Sequence, residues 1–91
     1  MKYVIPEDVL TAHLSDEAVL LHVGSKRYFR LNITAAWIWK GLERGMTRSE
    51  LLDGLCAHFE VERTDAERSL DEQLVRLCDA DLLREEHEGD A

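Results

Sequence analysis

The apolar pattern of this chain changes its period at Leu31-Asn32 and does not change back. Upstream, Val9 to Leu14 and Ala18 to Val23 are short runs rich in Val, Leu, Ala and Thr, parted by Ser15-Asp16-Glu17. Gly24-Ser25 ends the second run, and Arg27 to Leu31 makes a third. Short apolar runs bounded by turn residues read as strands, here an antiparallel meander of three. Alternation along the third strand sends Phe29 and Leu31 to one face and Tyr28 and Arg30 to the other.

Downstream, apolar residues recur at spacings of three and four, the mark of helices with one buried face. Asn32 or Thr34 caps a helix running to about Arg44, with Ala35, Ile38, Trp39 and Leu42 on one face and Gly45 as its stop. Thr47-Arg48-Ser49-Glu50 has the form of a capping box, and a helix with Leu51, Leu52, Leu55, Cys56 and Phe59 on one side follows to near Glu60. Thr64-Asp65-Ala66-Glu67 has the same form and opens the last and longest helix, to about Ala80, with Ala66, Leu70, Leu74 and Leu77 as its stripe. Leu82 and Leu83 fold back on the core, and the acidic stretch 85–91 reads as a frayed tail beyond a domain at 1–84. Strands first and helices after argue for an α+β fold, a winged-helix-like layout of a three-stranded antiparallel sheet followed by three helices.

At 91 residues, 45% hydrophobic and 33% charged, the chain suits one globular domain. Its 19 acids against 11 Lys and Arg give a net charge of -8. That weighs against nucleic acid, whose backbone is bound by Lys and Arg, and against an anionic membrane surface. The helices sharpen the point: the last offers Asp65, Glu67, Asp71, Glu72 and Asp79 against Arg68 and Arg76, a poor recognition face for DNA. No apolar run is long enough to span a bilayer and Met1 to Pro6 does not look like a signal peptide, so the expected location is cytoplasmic, with Cys56 and Cys78 reduced.

Four His and two Cys invite a metal reading, but no CxxC, HxxxH or HExxH occurs. Cys56 and His58 are two apart, so on a helix they diverge by about 200°. Both cysteines sit on apolar faces, where Cys behaves as a small hydrophobe. Catalytic motifs are also missing: there is no nucleophile elbow, and Gly24-Ser25-Lys26 is a hairpin turn rather than a phosphate-cradling loop. The chain is expected to be neither an enzyme nor a carrier of a cofactor or metal. Trp39 belongs to the core face; Trp37, about 200° away, is either half exposed or packed beneath the sheet.

One local charge feature opposes the overall balance. Lys26, Arg27 and Arg30 fall within five positions with no acid among them, on the last strand of the meander. That strand is a sheet edge, with unpaired N–H and C=O groups. Basic residues there act either as a guard against aggregation or as part of a surface that takes an extended peptide as a fourth strand.

The segment Phe29-Arg30-Leu31-Asn32-Ile33-Thr34-Ala35-Ala36-Trp37-Ile38-Trp39 resembles the YxLNxTAAxIW segment of PqqD-like proteins. The likeness continues through Leu42-Glu43-Arg44-Gly45-Met46-Thr47 and into Leu82-Leu83, and covers roughly Val4 to Leu83. The family domain, the recognition element of ribosomally made and modified peptides, has a three-stranded sheet followed by three helices and binds precursor leaders without catalysis. The resemblance implies that the leader docks as an extra strand beside the third strand, in a groove along the third helix. Carried onto this chain, it assigns the strand side to Lys26, Arg27, Tyr28, Phe29, Arg30 and Leu31, and the helix side to Leu70, Asp71, Leu74, Val75, Arg76 and Cys78. Which of Leu70 and Leu74 is core and which is groove wall stays open. Arg27, Arg30 and Arg76 would meet acidic leader residues.

The chain further resembles the separate leader-binding subunit of a split lasso-peptide system, whose partner would be a cysteine leader protease and whose leader would carry Tyr and Pro. The alternatives are a peptide chaperone for a radical SAM enzyme and, in another class, a winged-helix DNA-binding regulator. The expected partners are thus a precursor leader peptide and a modifying enzyme or leader protease. The expected state is a monomer or weak homodimer.

Overall fold

Leu31 is buried at the end of a strand, and Asn32 beside it turns the chain into a helix by accepting a hydrogen bond on its side-chain oxygen from the Ala35 N–H at 2.9 Å. The change of period in the sequence is therefore a single cap, supplied by Asn32 rather than Thr34. Around it, the computed structural model describes residues 2–86. The elements in order are β1 (Lys2–Val4), β2 (Val9–Leu14), β3 (Glu17–His22), β4 (Arg27–Leu31), α1 (Ile33–Glu43), α2 (Arg48–Phe59), α3 (Arg63–Asp79) and β5 (Arg84–Glu86). The antiparallel sheet has the order β2-β3-β4, with Val9 opposite His22 and Ala18 opposite Leu31, and the α+β class expected from the sequence holds.

Two features were not legible. β1 and β5 form a separate antiparallel pair, with Tyr3 opposite Glu85 and Lys2 opposite Glu86. Glu85 and Glu86, expected in the frayed tail, therefore lie in a strand; the rest of that expectation, 87–91, lies outside the described residues. The second is the start of α3. Its cap position is Glu62, with no side-chain capping bond, and Thr64 lies inside the first turn. The Arg63 guanidinium bonds Asp53 of α2 at 3.0 Å, which ties the helix start to α2 one residue before the expected box.

The other caps follow their residues. Thr47 and Glu50 form the reciprocal box, at 3.2 Å from the Glu50 N–H to the Thr47 hydroxyl and 2.8 Å from the Thr47 N–H to the Glu50 carboxylate. Gly45 takes φ +81 after α1, while the N–H groups of Gly45 and Met46 donate to Leu42 and Gly41, a Schellman ending. Asp81 plays the same part after α3 with φ +62, and the Leu82 N–H donates to the Leu77 carbonyl at 2.9 Å. That turn swings Leu82 and Leu83 back into the core, where they are 1% and 4% exposed.

The core fills the space between the inner face of the sheet and the three helices, with Ala18 and Leu20 from β3 meeting Ile38, Trp39, Leu51, Leu55 and Leu70. Trp39 is fully buried and its indole N–H donates to the Thr11 hydroxyl at 3.0 Å, so its one polar atom is satisfied. Trp37 is half-buried, on α2 rather than beneath the sheet, stacked on His58 at 5.7 Å and edge-on to Phe59. Gly54 makes room for it: a Cβ there would lie 2.5 Å from the indole ring. Across the helices, Arg48 of α2 donates to Asp71 and Glu67 of α3 at 2.9 to 3.1 Å. Among the described residues no helix is long and apolar enough to cross a membrane.

Candidate functional site

In an antiparallel sheet, each residue of a middle strand sends its N–H and C=O to one neighbour, and the next residue sends them to the other. The Val23 N–H bonds the Asp8 carbonyl at 2.9 Å, so the odd-numbered positions of β3 face β2. The even-numbered ones, Ala18, Leu20 and His22, face β4, where their opposite residues are Leu31, Phe29 and Arg27. The backbones of Arg27, Phe29 and Leu31 are thus spent on β3. Tyr28 and Arg30 are left with N–H and C=O groups directed away from the sheet, at its open edge.

The side chains follow the alternation read from the sequence. Leu31 is 6% exposed and Phe29 is half-buried against the core, while Tyr28 is 72% exposed. The Arg27 guanidinium lies over the Phe29 ring, 5.2 Å from its centroid. Arg30 reaches across the sheet and holds the Glu17 carboxylate through Nε at 3.3 Å and Nη2 at 3.0 Å. Lys26 is exposed in the turn before the strand with φ +61.

Beside this edge runs a groove of about 480 Å³ between β4 and α3. Its strand wall is Arg27 to Leu31, all expected from the sequence. Its helix wall is Gln73, Arg76, Leu77, Asp79 and Ala80, with Leu82 closing the floor. Of the six residues assigned to the helix side of the groove in the sequence analysis, Arg76 alone stands here. Leu70 is fully buried core. Asp71, Leu74, Val75 and Cys78 lie on the opposite flank of α3, where all four line a crevice with Tyr3 and Glu85 of the β1·β5 pair. The missed residues carry a legible spacing, since 73, 77 and 80 repeat at four and three. The apolar stripe fixes the buried line of α3; its crossing over the sheet decides which polar flank meets β4.

The groove opposes the charge of the chain. Arg27, Arg30 and Arg76 line it against one carboxylate, Asp79, and among the described residues neither Arg27 nor Arg76 has a salt-bridge partner. The crevice across α3 is the reverse. Burial pushes the Cys78 thiol above its ordinary pKa, with Glu85 and Asp79 adding to the shift, and burial followed by Glu85 does the same to Tyr3. Among the described residues no cluster of three His, Cys, Asp or Glu side chains could hold a metal. What the groove offers is a short hydrogen-bonding edge, an apolar floor and the guanidinium groups of Arg27 and Arg76, an arrangement suited to an extended peptide that carries acids.

No curated protein matches the chain. Two solved structures do. One is of TbiB1 in complex with the TbiA(beta) leader peptide, 39% identical, with a TM-score of 0.84 over 96% of this chain and 96% of that one. The other is a lasso peptide synthetase B1 complexed with its leader peptide, 29% identical, with a TM-score of 0.85 over 93% of this chain and all of that one. Residues 17–83 match the model of the family described as coenzyme PQQ synthesis protein D, a span from β3 through all three helices to the Leu82-Leu83 turn, and by that match the chain belongs to the PqqD family.

Proposed function

We propose that this protein binds the leader segment of a ribosomally made precursor peptide as a fourth strand on β4 and presents it to a separate processing enzyme, in the manner of lasso-peptide biosynthesis. The observation that carries the reading is the open edge at Tyr28 and Arg30 above a groove whose guanidinium groups run against a net charge of -8. The leader complexes of the two similar B1 structures support the same class of ligand. The protein acts by binding alone, in the cytoplasm, and raises the concentration of leader and attached core near the enzyme. A cysteine leader protease is the partner that the likeness to B1 proteins favours.

The test is a titration of a fluorescently labelled leader, taken from the precursor encoded with this chain, against the purified protein. Saturable one-to-one binding is expected. Tyr28→Pro is the informative variant, because it deletes an N–H that points to solvent and leaves the β3·β4 ladder intact. It should weaken leader binding about tenfold or more while the melting temperature stays close to that of the parent. Unchanged affinity in a folded Tyr28→Pro protein would rule out strand addition on β4.

A further inference from the structure

The groove does not stop at the end of β4. Gln73 and Arg76, two of its helix residues, also line a second stretch of about 330 Å³ with Leu31, Asn32 and Ala35, where the strand has turned into α1. One helical turn further back along α3 lies a pocket of about 350 Å³, bordered by Thr34 of α1 and by Ala66 and Ser69 of α3. Positions 66, 69, 73, 76 and 80 recur at three and four, so a single flank of α3 faces all three spaces. Ile33, between Asn32 of the middle stretch and Thr34 of the pocket, is 51% exposed.

The pocket differs from the groove in its chemistry. Leu55, Phe59, Val61 and Ala66 are its apolar lining. α2 ends at Phe59, Glu60 turns the chain with φ +52, and α3 begins at Arg63, which leaves Val61 in the connector, 42% exposed. Phe59 is held edge-on by His58 at 4.7 Å and by Trp37 at 6.2 Å, so this wall is fixed in place. Among the described residues no Lys or Arg lines the pocket, and its one carboxylate, Asp65, has Arg68 at 3.8 Å. An acid does not suit such a space; a large uncharged apolar side chain does. Ala66 and Arg76 are ten residues apart, about 15 Å along the helix, which an extended peptide covers in about five residues. Antiparallel pairing with β4, the more stable ladder, sends the N-terminal side of the leader that way. We infer that this pocket is a second anchor for the leader, taking one large apolar side chain about five residues N-terminal of the segment paired with β4. The inference rests on the strand-addition reading above. Continuity with the groove along one flank of α3 names the leader as the occupant; a second copy is the weaker one, since each brings a net charge of -8. The sheet edge bonds any extended backbone, so the pocket adds selection among leaders by side chain.

Val61 and Ser69 allow a clean experiment, because both line the pocket and neither belongs to the core. The probes are the labelled leader of the precursor encoded with this chain and its shortest fragment whose binding Tyr28→Pro still weakens. The full leader is expected to bind the parent protein about tenfold more tightly than the fragment. Val61→Asp, which puts a charge at the pocket, and Ser69→Phe, which fills it, should each weaken the full leader about tenfold. Their affinity for the fragment should stay within about twofold of the parent, which also reports that they are folded. Full-leader binding that is indifferent to both variants, while Tyr28→Pro still weakens it, overturns the pocket and leaves strand addition standing. Equal losses for leader and fragment also overturn the pocket, since the variants then act through the fold. Failure of the leader to bind the parent protein, or its indifference to Tyr28→Pro, overturns strand addition and the pocket together. A parent dimer that Val61→Asp dissociates, with leader affinity unchanged, assigns the pocket to a second copy and overturns the inference.

Discussion

The two flanks of α3 are built from one helix and differ in almost every property that matters for a ligand. Towards β4, Gln73, Arg76, Leu77 and Ala80 look across a groove at a strand with a free edge, and the guanidinium groups outnumber the carboxylates. Towards β1 and β5, Asp71, Leu74, Val75 and Cys78 look at a strand pair the chain supplies for itself, among Asp79 and Glu85. Asp71 is further held by Arg48, whose guanidinium is raised above its ordinary pKa by the hydrogen bonds to Asp71 and Glu67. A strand can be added on the first flank; on the second, a β pair is already in place. Charge and backbone therefore select the same side for an acidic extended peptide, although the helix alone would allow either.

The comparison breaks most sharply under charge reversal. Arg27→Glu combined with Arg76→Glu should weaken leader binding at least about tenfold and flatten its dependence on salt, whereas Glu85→Lys across the helix should leave affinity within about twofold. Titrations of labelled leader at low and high salt measure both; equal losses on the two flanks would erase the distinction. Arg48→Met should cost the fold about 1 kcal/mol, seen as a lower melting temperature, with little change in leader binding, because the Arg48 clamp lies off the groove. Loss of binding from Arg48→Met at a temperature where the protein is fully folded would return Asp71 to the site.

Smaller effects concern the acidic flank itself. Glu85→Gln should lower the Cys78 pKa towards its ordinary value and speed alkylation by iodoacetamide a few-fold near pH 8, read by mass spectrometry. The raised Cys78 and Tyr3 values also set a pH dependence. Both groups are kept neutral in the folded chain, while the unfolded chain ionises them at the ordinary values of 9.0 and 10.0. Their share of stability is complete below those values and is lost as pH rises from them through the raised values of the folded chain. The melting temperature should accordingly fall from pH 9.0 upwards, and fall less steeply in Cys78→Ala. An equal slope in that variant would remove Cys78 from the account.

The sequence made the strand side of the groove legible and left all of the helix side but Arg76 unread, for a physical reason. Alternation along Arg27 to Leu31 and the Asn32 cap are local, so five residues suffice to place Tyr28 outward and Leu31 inward. Helical spacing is local too, and the stripe of Ala66, Leu70, Leu74 and Leu77 is buried as expected. Which flank of that stripe faces β4 depends on how α3 crosses the sheet, a tertiary property that 73-77-80 and 71-74-78 share equally in sequence. The β1·β5 pair was beyond local reading for another reason. Its strands have three residues each, too few for a period, and they join Lys2 to Glu86 across nearly the whole chain. The Thr64 box misled because a capping pattern states where a helix can start, and the Arg63–Asp53 bond accompanies an earlier start.

The edge of β4 directs two N–H and two C=O groups outward, those of Tyr28 and Arg30, over a strand of five residues or about 17 Å. Main-chain groups are the same in every residue but proline, so this part of the recognition has almost no alphabet. Under the strand addition proposed above, a precursor gene could drift or recombine freely at the positions that meet only the edge, and its product would still dock. On that proposal, the maturation machinery could be inherited by new products without being rebuilt, and a leader grafted onto a foreign core would carry its admission with it.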